Sequence, residues 1–293
     1  MRRYKVGIYK FTLRIRRTWN EYKRNKIGLI GLILLLFFIL VAVIGPYVTP
    51  YKPNQMYIGE PLSPPNRMFL LGTDELGRDI LTLVIYGTQI SLIIGFVAAF
   101  ISVVIGSLLG LLGGYYGGIF SDILMRITDM FIMMPWLALM IVFAALFGSS
   151  IWNIMVIIGI TTWPTTARTV MSQVLSLRER PFVEAVRAAG AGDRYIIFKT
   201  ILPNTMPIIF TNGVLSVAYA VLYEAGLSFL GLGDPTHISW GMILYFANSC
   251  GAIVVGAWWY ILPPGICITL LVLAFTFISH GLDEVLNPRL RAR

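Results

Sequence analysis

An all-α protein that crosses a membrane several times is predicted by three observations. Hydrophobic residues make up 57% of the 293-residue chain and charged residues only 13%, about half the charged fraction usual in soluble domains. The mean hydropathy is +0.78. The apolar residues are gathered into six runs, 27–48, 89–113, 123–147, 151–171, 207–230 and 257–279. Each suffices to cross a hydrocarbon core about 30 Å thick at about 1.5 Å per helical residue. The basic residues, which give a net charge of +9, lie between and beside these runs rather than over a folded surface, so the charge does not indicate a nucleic-acid binder.

Residues 1–26 form a polar, basic tail too long and too charged to be read as a cleavable signal, and the run that follows spans rather than ends as a short apolar core. Ile8, Phe11, Ile15, Trp19 and Tyr22 make an apolar stripe with Arg and Lys on much of the remaining face. Two readings stand: a helix lying on an anionic leaflet, or a solvated basic tail that only sets topology. Residues 27–48 are the first span.

Residues 49–88 hold Pro50, Pro53, Pro61, Pro64 and Pro65. Proline removes a backbone donor, so the segment reads as a loop, and its length suits contact with a partner or solute. The core, 89–280, holds five further spans. Gly106, Gly110 and Gly114 recur every four residues in the second span, a spacing that lets helix backbones approach closely in lipid. The third and fourth spans are separated only by Gly148, Ser149 and Ser150, a tight hairpin. Residues 281–293 form a short basic tail.

Orientation follows from the flanking cations. Ten Lys or Arg in 1–26, Arg126, six from Arg168 to Lys199 and three in the last tail lie on one side; Lys52, Arg67 and Arg78 are all that remain for the other. Both termini and the 172–206 loop are therefore expected in the cytoplasm, with the 49–88 segment outside.

Catalytic chemistry finds no footing. There is no phosphate-binding GxxxxGK[ST], no HExxH, no GxSxG, and His237 and His280 are far apart. Cys250 and Cys267 form no CxxC, so neither a disulfide framework nor a metal site is indicated. A membrane-embedded enzyme would need clustered polar residues at one depth, and none stands out. Two acids fall in the spans. Asp129 is expected to pair with Arg126 at i,i+3. Glu224 has no cation within a turn, and it either lines a translocation path or makes a structural hydrogen bond to a neighbouring span or subunit. If the chain were an ion-coupled carrier acting alone, Glu224 would be its central residue, but no coupling-ion or filter signature is present.

The charged, alanine-rich stretch "EAVRAAGAG" interrupts the apolar pattern at 184–192. Pro181 suits a helix start, Ala185, Ala188 and Ala189 favour helix, and Gly190 can take the left-handed conformation that ends one. "DRYIIFKTILPN" then predicts a second amphipathic helix that stops at Leu202 and Pro203. Helix, bend and helix make a knob whose small face fits a groove on another protein. Arg187 and Arg194 are either docking residues or solvated.

Glu184, Ala185, Gly190, Leu202 and Pro203 resemble, in type and spacing, the cytoplasmic EAA loop of permease subunits of binding-protein-dependent ABC importers. Val186 and Thr200 depart from that pattern. "LGTDELGRDILTLVIYGTQISL" (71–92, containing Gly72, Thr73, Asp74, Gly77, Arg78 and Asp79), "EAGLSFLGLG" (224–233) with "SWG" (239–241), and "NPRLR" (287–291) look like the C-type permease of dipeptide and oligopeptide importers. Leu83, Gln89 and Asn287 are departures.

The resemblance implies six helices with the loop as a coupling helix that docks on a cytoplasmic ATPase. It implies a second homologous permease, two ATPase subunits and an external substrate-binding protein in the cell membrane. ATP and Mg would belong to the ATPases, leaving this chain without cofactor or catalysis. Peptides are the implied cargo, with nickel chelates or oligosaccharides carried by similar machinery.

Overall fold

The computed structural model describes residues 19–286. The helices among them are α1 (Lys26–Val48), α2 (Ile80–Tyr116), α3 (Gly118–Met133), α4 (Trp136–Phe147), α5 (Ile151–Arg178) and α6 (Pro181–Ala188). They continue with α7, helical from Asp193 to Leu232, α8 (Trp240–Ser249) and α9 (Trp258–Leu286). The described residues contain no strand, only an isolated bridge between Thr73 and Asp79. The all-α expectation is met.

Four helices, α1, α2, α7 and α9, are each long and apolar enough to cross a membrane. The predicted third span is a broken pair: α3 and α4 meet at 91°, and with them as one span the count is five. Pro135 stands at the break as the N-cap of α4, where its missing N–H ends the α3 ladder. The fourth predicted span, α5, has 28 residues, but its threonines keep it below the apolar level of the other spans.

Helix α5 nonetheless runs beside α2 through the same layer. A Cβ on Gly106 would lie 2.6 Å from the Trp163 carbonyl oxygen, one on Gly110 2.5 Å from that of Ala167, and one on Gly114 2.7 Å from Val174 Cβ. The numbers rise together along both helices, so α2 and α5 are parallel. The glycine stripe thus serves the close approach expected of it. Because α2 and α5 run the same way, the bent α3–α4 pair has to carry the chain back between them.

Three further boundaries differ from the sequence reading. Helix α2 begins at Ile80 rather than near Gln89, because Asp79 caps it: its carboxylate accepts from the Thr82 amide at 2.9 Å and the Thr82 hydroxyl at 2.6 Å. An aspartate in this position satisfies amides the first turn leaves unpaired. The helix after Gly192 does not stop at Leu202 and Pro203. It continues through a π-turn at Ile196–Ile201 into the span, and the wider turn accommodates the missing Pro203 donor. Helix α8 lies in none of the predicted apolar runs, its ten residues being too few to cross.

The interior divides by position. Phe38, Ile80, Leu83, Trp240, Tyr260 and Phe275 centre a core joining α1, α2, α8 and α9. Met140, Ile154, Ile157 and Leu227 centre another between α4, α5 and α7. At the other end, Leu111, Val170, Val174, Val183, Ile196 and Ile201 hold α6 and the start of α7 against α2 and α5. Of the amphipathic N-tail stripe, Ile8, Phe11 and Ile15 lie outside the described residues, as does 287–291. Tyr22 is buried, stacks with Trp19 and donates its hydroxyl to the Gly28 carbonyl at 2.8 Å, folding the end of the tail onto α1.

Candidate functional site

Three features are candidates: the 181–201 knob, the 72–79 signature, and a cleft among the spans. In the knob, Pro181 occupies the first turn of α6, where its lost donor costs nothing. The helix ends in a Schellman motif: Gly190, at φ 82°, donates its amide to the Arg187 carbonyl at 3.0 Å, and Ala191 donates to Val186 at 3.3 Å. The left-handed φ explains the glycine. Val183 is buried beneath the knob with Ile196, Ile197 and Ile201. On the outer side Glu184, Ala185, Arg187 and Gly190 are exposed.

Tyr115 and Arg178 fix the knob to the bundle: the Tyr115 hydroxyl donates to Asp193 at 2.6 Å and the Arg178 guanidinium donates to the Tyr115 carbonyl at 3.2 Å. Arg187 lies over the Tyr115 ring, 6.0 Å from its centroid. Leu202 is half-buried and Pro203 exposed, both inside the continuous helix α7, so they sit at the knob's root rather than on its exposed outer side.

The 72–79 signature is a folded cap. Gly72, Thr73, Asp74, Gly77, Arg78 and Asp79 are all buried. Asp74 accepts from the Arg78 amide at 2.7 Å and the Arg78 Nε at 2.5 Å. Burial pushes the Asp74 carboxyl above its usual range, and the Arg78 guanidinium pulls against that shift. Arg78 also lies over the Phe246 ring of α8, while Tyr260 of α9 donates its hydroxyl to Glu75 at 2.5 Å. The motif thus ties the loop before α2 to α8 and α9.

Glu224 is 1% exposed. Its Oε1 accepts from the Ser228 hydroxyl at 2.7 Å and the Ser239 hydroxyl at 2.6 Å. Ser239 in turn caps α8, accepting from the Met242 amide at 3.2 Å. Next to it Trp240 donates its amide to Ser91 at 3.2 Å and its indole N–H to the Val84 carbonyl at 2.9 Å. Both bonds are made within the chain, between the end of α7 and the start of α8, through Oε1 alone; Oε2 is buried without a partner among the described residues.

Asp129 does not pair with Arg126. Its carboxylate meets the Arg168 guanidinium of α5, a contact between helices far apart in sequence that no i,i+3 rule reveals.

The cleft was not anticipated. A cavity of about 460 Å³ opens between the α3–α4 bend, α5 and α7. Thr161, Thr162, Thr165 and Thr169 of α5 line one wall. Their hydroxyls donate back to helix carbonyls at 2.7 to 2.9 Å, as threonines inside helices do. Trp136 at the bend lies against Tyr223, ring centroids 4.1 Å apart, and Tyr223 stacks on Tyr219 one turn below. No charged side chain lines the cavity. The signal in the sequence was "TTWPTTART" (161–169), a density of hydroxyls unusual in a span whose other faces meet lipid or apolar packing.

Comparison with known proteins agrees with this geometry. The family model described as "Binding-protein-dependent transport system inner membrane component" matches residues 102–292, and that of the "N-terminal TM domain of oligopeptide transport permease C" matches residues 14–65. The chain is 38% identical over 274 residues to the dipeptide transport system permease protein DppC of Bacillus subtilis (strain 168), covering 93% of this chain and 85% of that one. It is 40% identical over 275 residues to a putative peptide transport system permease protein of Brucella abortus biovar 1 (strain 9-941), covering 94% and 92%. In fold it is similar to a chain of the MetNI methionine ABC transporter in inward-facing conformations, with a TM-score of 0.54 and 23% identity over 70% of this chain and 95% of that chain. The chain is a multi-pass membrane protein and belongs to the family of binding-protein-dependent transport system inner membrane components, the permeases of ABC importers.

Proposed function

We propose that this chain is one of two permease subunits of an importer that moves peptides delivered by an external binding protein, driven by two cytoplasmic ATPases. The observation that carries the reading is the knob: an exposed α6 with Glu184, Ala185 and Arg187 outward, ended by Gly190 and anchored through Val183 to α2 and α5. A short rigid helix held this way transmits a push to the two parallel helices behind it, and such rigid-body shifts carry displacement across a packed bundle.

Six crossings fit the chain path, with α5 beside α2 and the bent pair between them. The knob end then faces the cytoplasm together with both termini, as the distribution of cations favours. The 49–79 loop and its Asp74–Arg78 cap face the binding protein. The threonine-lined cleft is this subunit's half of the path, closed by the second permease. ATP and Mg stay on the ATPases, so the chain itself binds no cofactor and performs no catalysis. Peptide as cargo is supported by the relatives named for dipeptide and peptide transport.

Affinity purification of the tagged chain in mild detergent tests this. Co-purification of two ATPases and a second permease, with ATP hydrolysis in the eluate, is expected. An ATPase-free preparation that moved solute in liposomes would overturn it.

A further inference from the structure

Two facts about the cleft stand together. Its wall is neutral, and two charges that adjoin its lining residues in sequence, Asp129 and Arg168, are paired with each other. Arg168 sits on α5 between Thr165 and Thr169, both of which line the cleft; Asp129 sits two residues before Phe131, which also lines it. The pair lies between the Trp136 bend and the end of the bundle that carries the knob. It is not sealed in packing: the two side chains are 43% and 42% exposed. Charged side chains within spans face the bundle interior or a water-filled cavity rather than lipid, and this half-exposed pair stands beside the cleft, next in sequence to residues that line it though not itself in the lining.

A peptide with free termini is a zwitterion, and its charges lose their hydration in a narrow path. A wall of hydroxyls offers dipoles but no counter-charge. An ion pair beside it offers both signs at once. Exchanging one intramembrane pair for two mixed pairs leaves no charge alone at any point, whereas stripping a lone charge is expensive. We infer that the Asp129–Arg168 pair is a charge-exchange station of the path, opening so that Asp129 takes a cationic group and Arg168 an anionic group of the passing peptide. The inference rests on the peptide-permease reading given above.

The test is uptake into proteoliposomes holding the assembled complex and its binding protein, with a neutral, an acidic and a basic short peptide. Rates for Asp129→Asn and Arg168→Gln are each divided by the wild-type rate on the same peptide, so the binding protein's own preference cancels. Asp129→Asn leaves an unpaired guanidinium and is expected to raise the acidic-to-basic ratio several-fold; Arg168→Gln is expected to lower it by a similar factor. The exchanged pair, Asp129→Arg with Arg168→Asp, keeps both signs and is expected to show the wild-type ratio.

A pair that only braces α3 on α5 would slow all three peptides alike, and equal losses in both single variants would overturn the inference. Should the single variants fail to assemble, the neutral pair Asp129→Asn with Arg168→Gln, which leaves no charge unpaired, decides: a greater loss of rate on the acidic and basic peptides than on the neutral one supports the inference, and equal relative rates on all three overturn it. A wild-type complex that carried none of the peptides would instead defeat the peptide reading.

Discussion

Glu224 and Ser239 are hydrogen-bonded at 2.6 Å across 15 residues of chain, so that one carboxylate oxygen on α7 holds the residue that caps α8. Ser228 donates to the same oxygen at 2.7 Å. The bond joins a spanning helix to the short helix α8, which packs over α2 through Trp240, and makes a corner at the end of the bundle opposite the knob.

Replacing Glu224 by alanine strands two buried hydroxyl donors, each costing about 1–3 kcal/mol. A clear drop in melting temperature of the detergent-purified complex is expected. Glu224→Gln keeps an acceptor oxygen for both serines and is expected to melt close to wild type and to transport. A glutamine variant that transported nothing while melting normally would restore a pathway role to Glu224.

The contact of Gly110 with Ala167 leaves no room for a side chain. Gly110→Val forces α2 from α5, and overpacking of this kind costs about 1–3 kcal/mol. Reduced yield of folded protein, measured by fluorescence-detected size exclusion, is expected. The same change at Gly118, where nothing lies within 4 Å of an added Cβ but φ is 58°, should act only through backbone strain and cost less.

At the knob, Gly190→Pro cannot adopt φ 82°, since proline is fixed near about −65°. Glu184→Lys reverses a charge on the exposed face without touching the buried side. Both are expected to abolish uptake while the protein stays in the membrane at normal amounts, as measured by immunoblot of membrane fractions. Normal uptake by both would remove the knob from the coupling route.

Arg78 is 6% exposed and paired with Asp74, which is fully buried. Removing one member of a buried pair costs about 3–5 kcal/mol, whereas replacing both is far milder. Arg78→Met should open the 49–79 loop to external protease, and Asp74→Asn with Arg78→Met should restore much of the protection. Equal cleavage of the two would mean the pair does not hold the cap.

Asp234 joins the loop after α7 to the start of α5, accepting from the Ile151 amide at 3.1 Å and from the Thr236 amide and hydroxyl at 2.9 and 2.6 Å. Partial burial pushes its carboxyl up, but the bonds from Thr236, His237 and Ile151 outweigh this and bring it down to about 2 from 3.8. Because the folded value is the lower one, the stabilisation is full above pH 3.8 and is lost as pH falls toward about 2. The protection factor of the Ile151 amide, with the intrinsic exchange rate divided out, should fall across that window, and Asp234→Asn should remove this pH dependence.

The sequence by itself determined the class of protein, where most spans lie, the glycine stripe and the helix–glycine–helix of the knob. Each is a local property: run length, four-residue spacing, or the φ that only Gly190 accepts easily. Tertiary structure decided the rest. The 91° bend at Pro135 was hidden because a broken apolar run has the same composition as a straight one. The partner of Asp129 came from α5 rather than from its own helix, and one of the two serines on Glu224, Ser239, came from the loop before α8. The threonine cleft exists only where α5 faces α7 across the bend. Hydropathy reports how far a segment prefers lipid; which polar side chains meet inside the bundle depends on helix rotation and packing, which one-dimensional pattern does not encode.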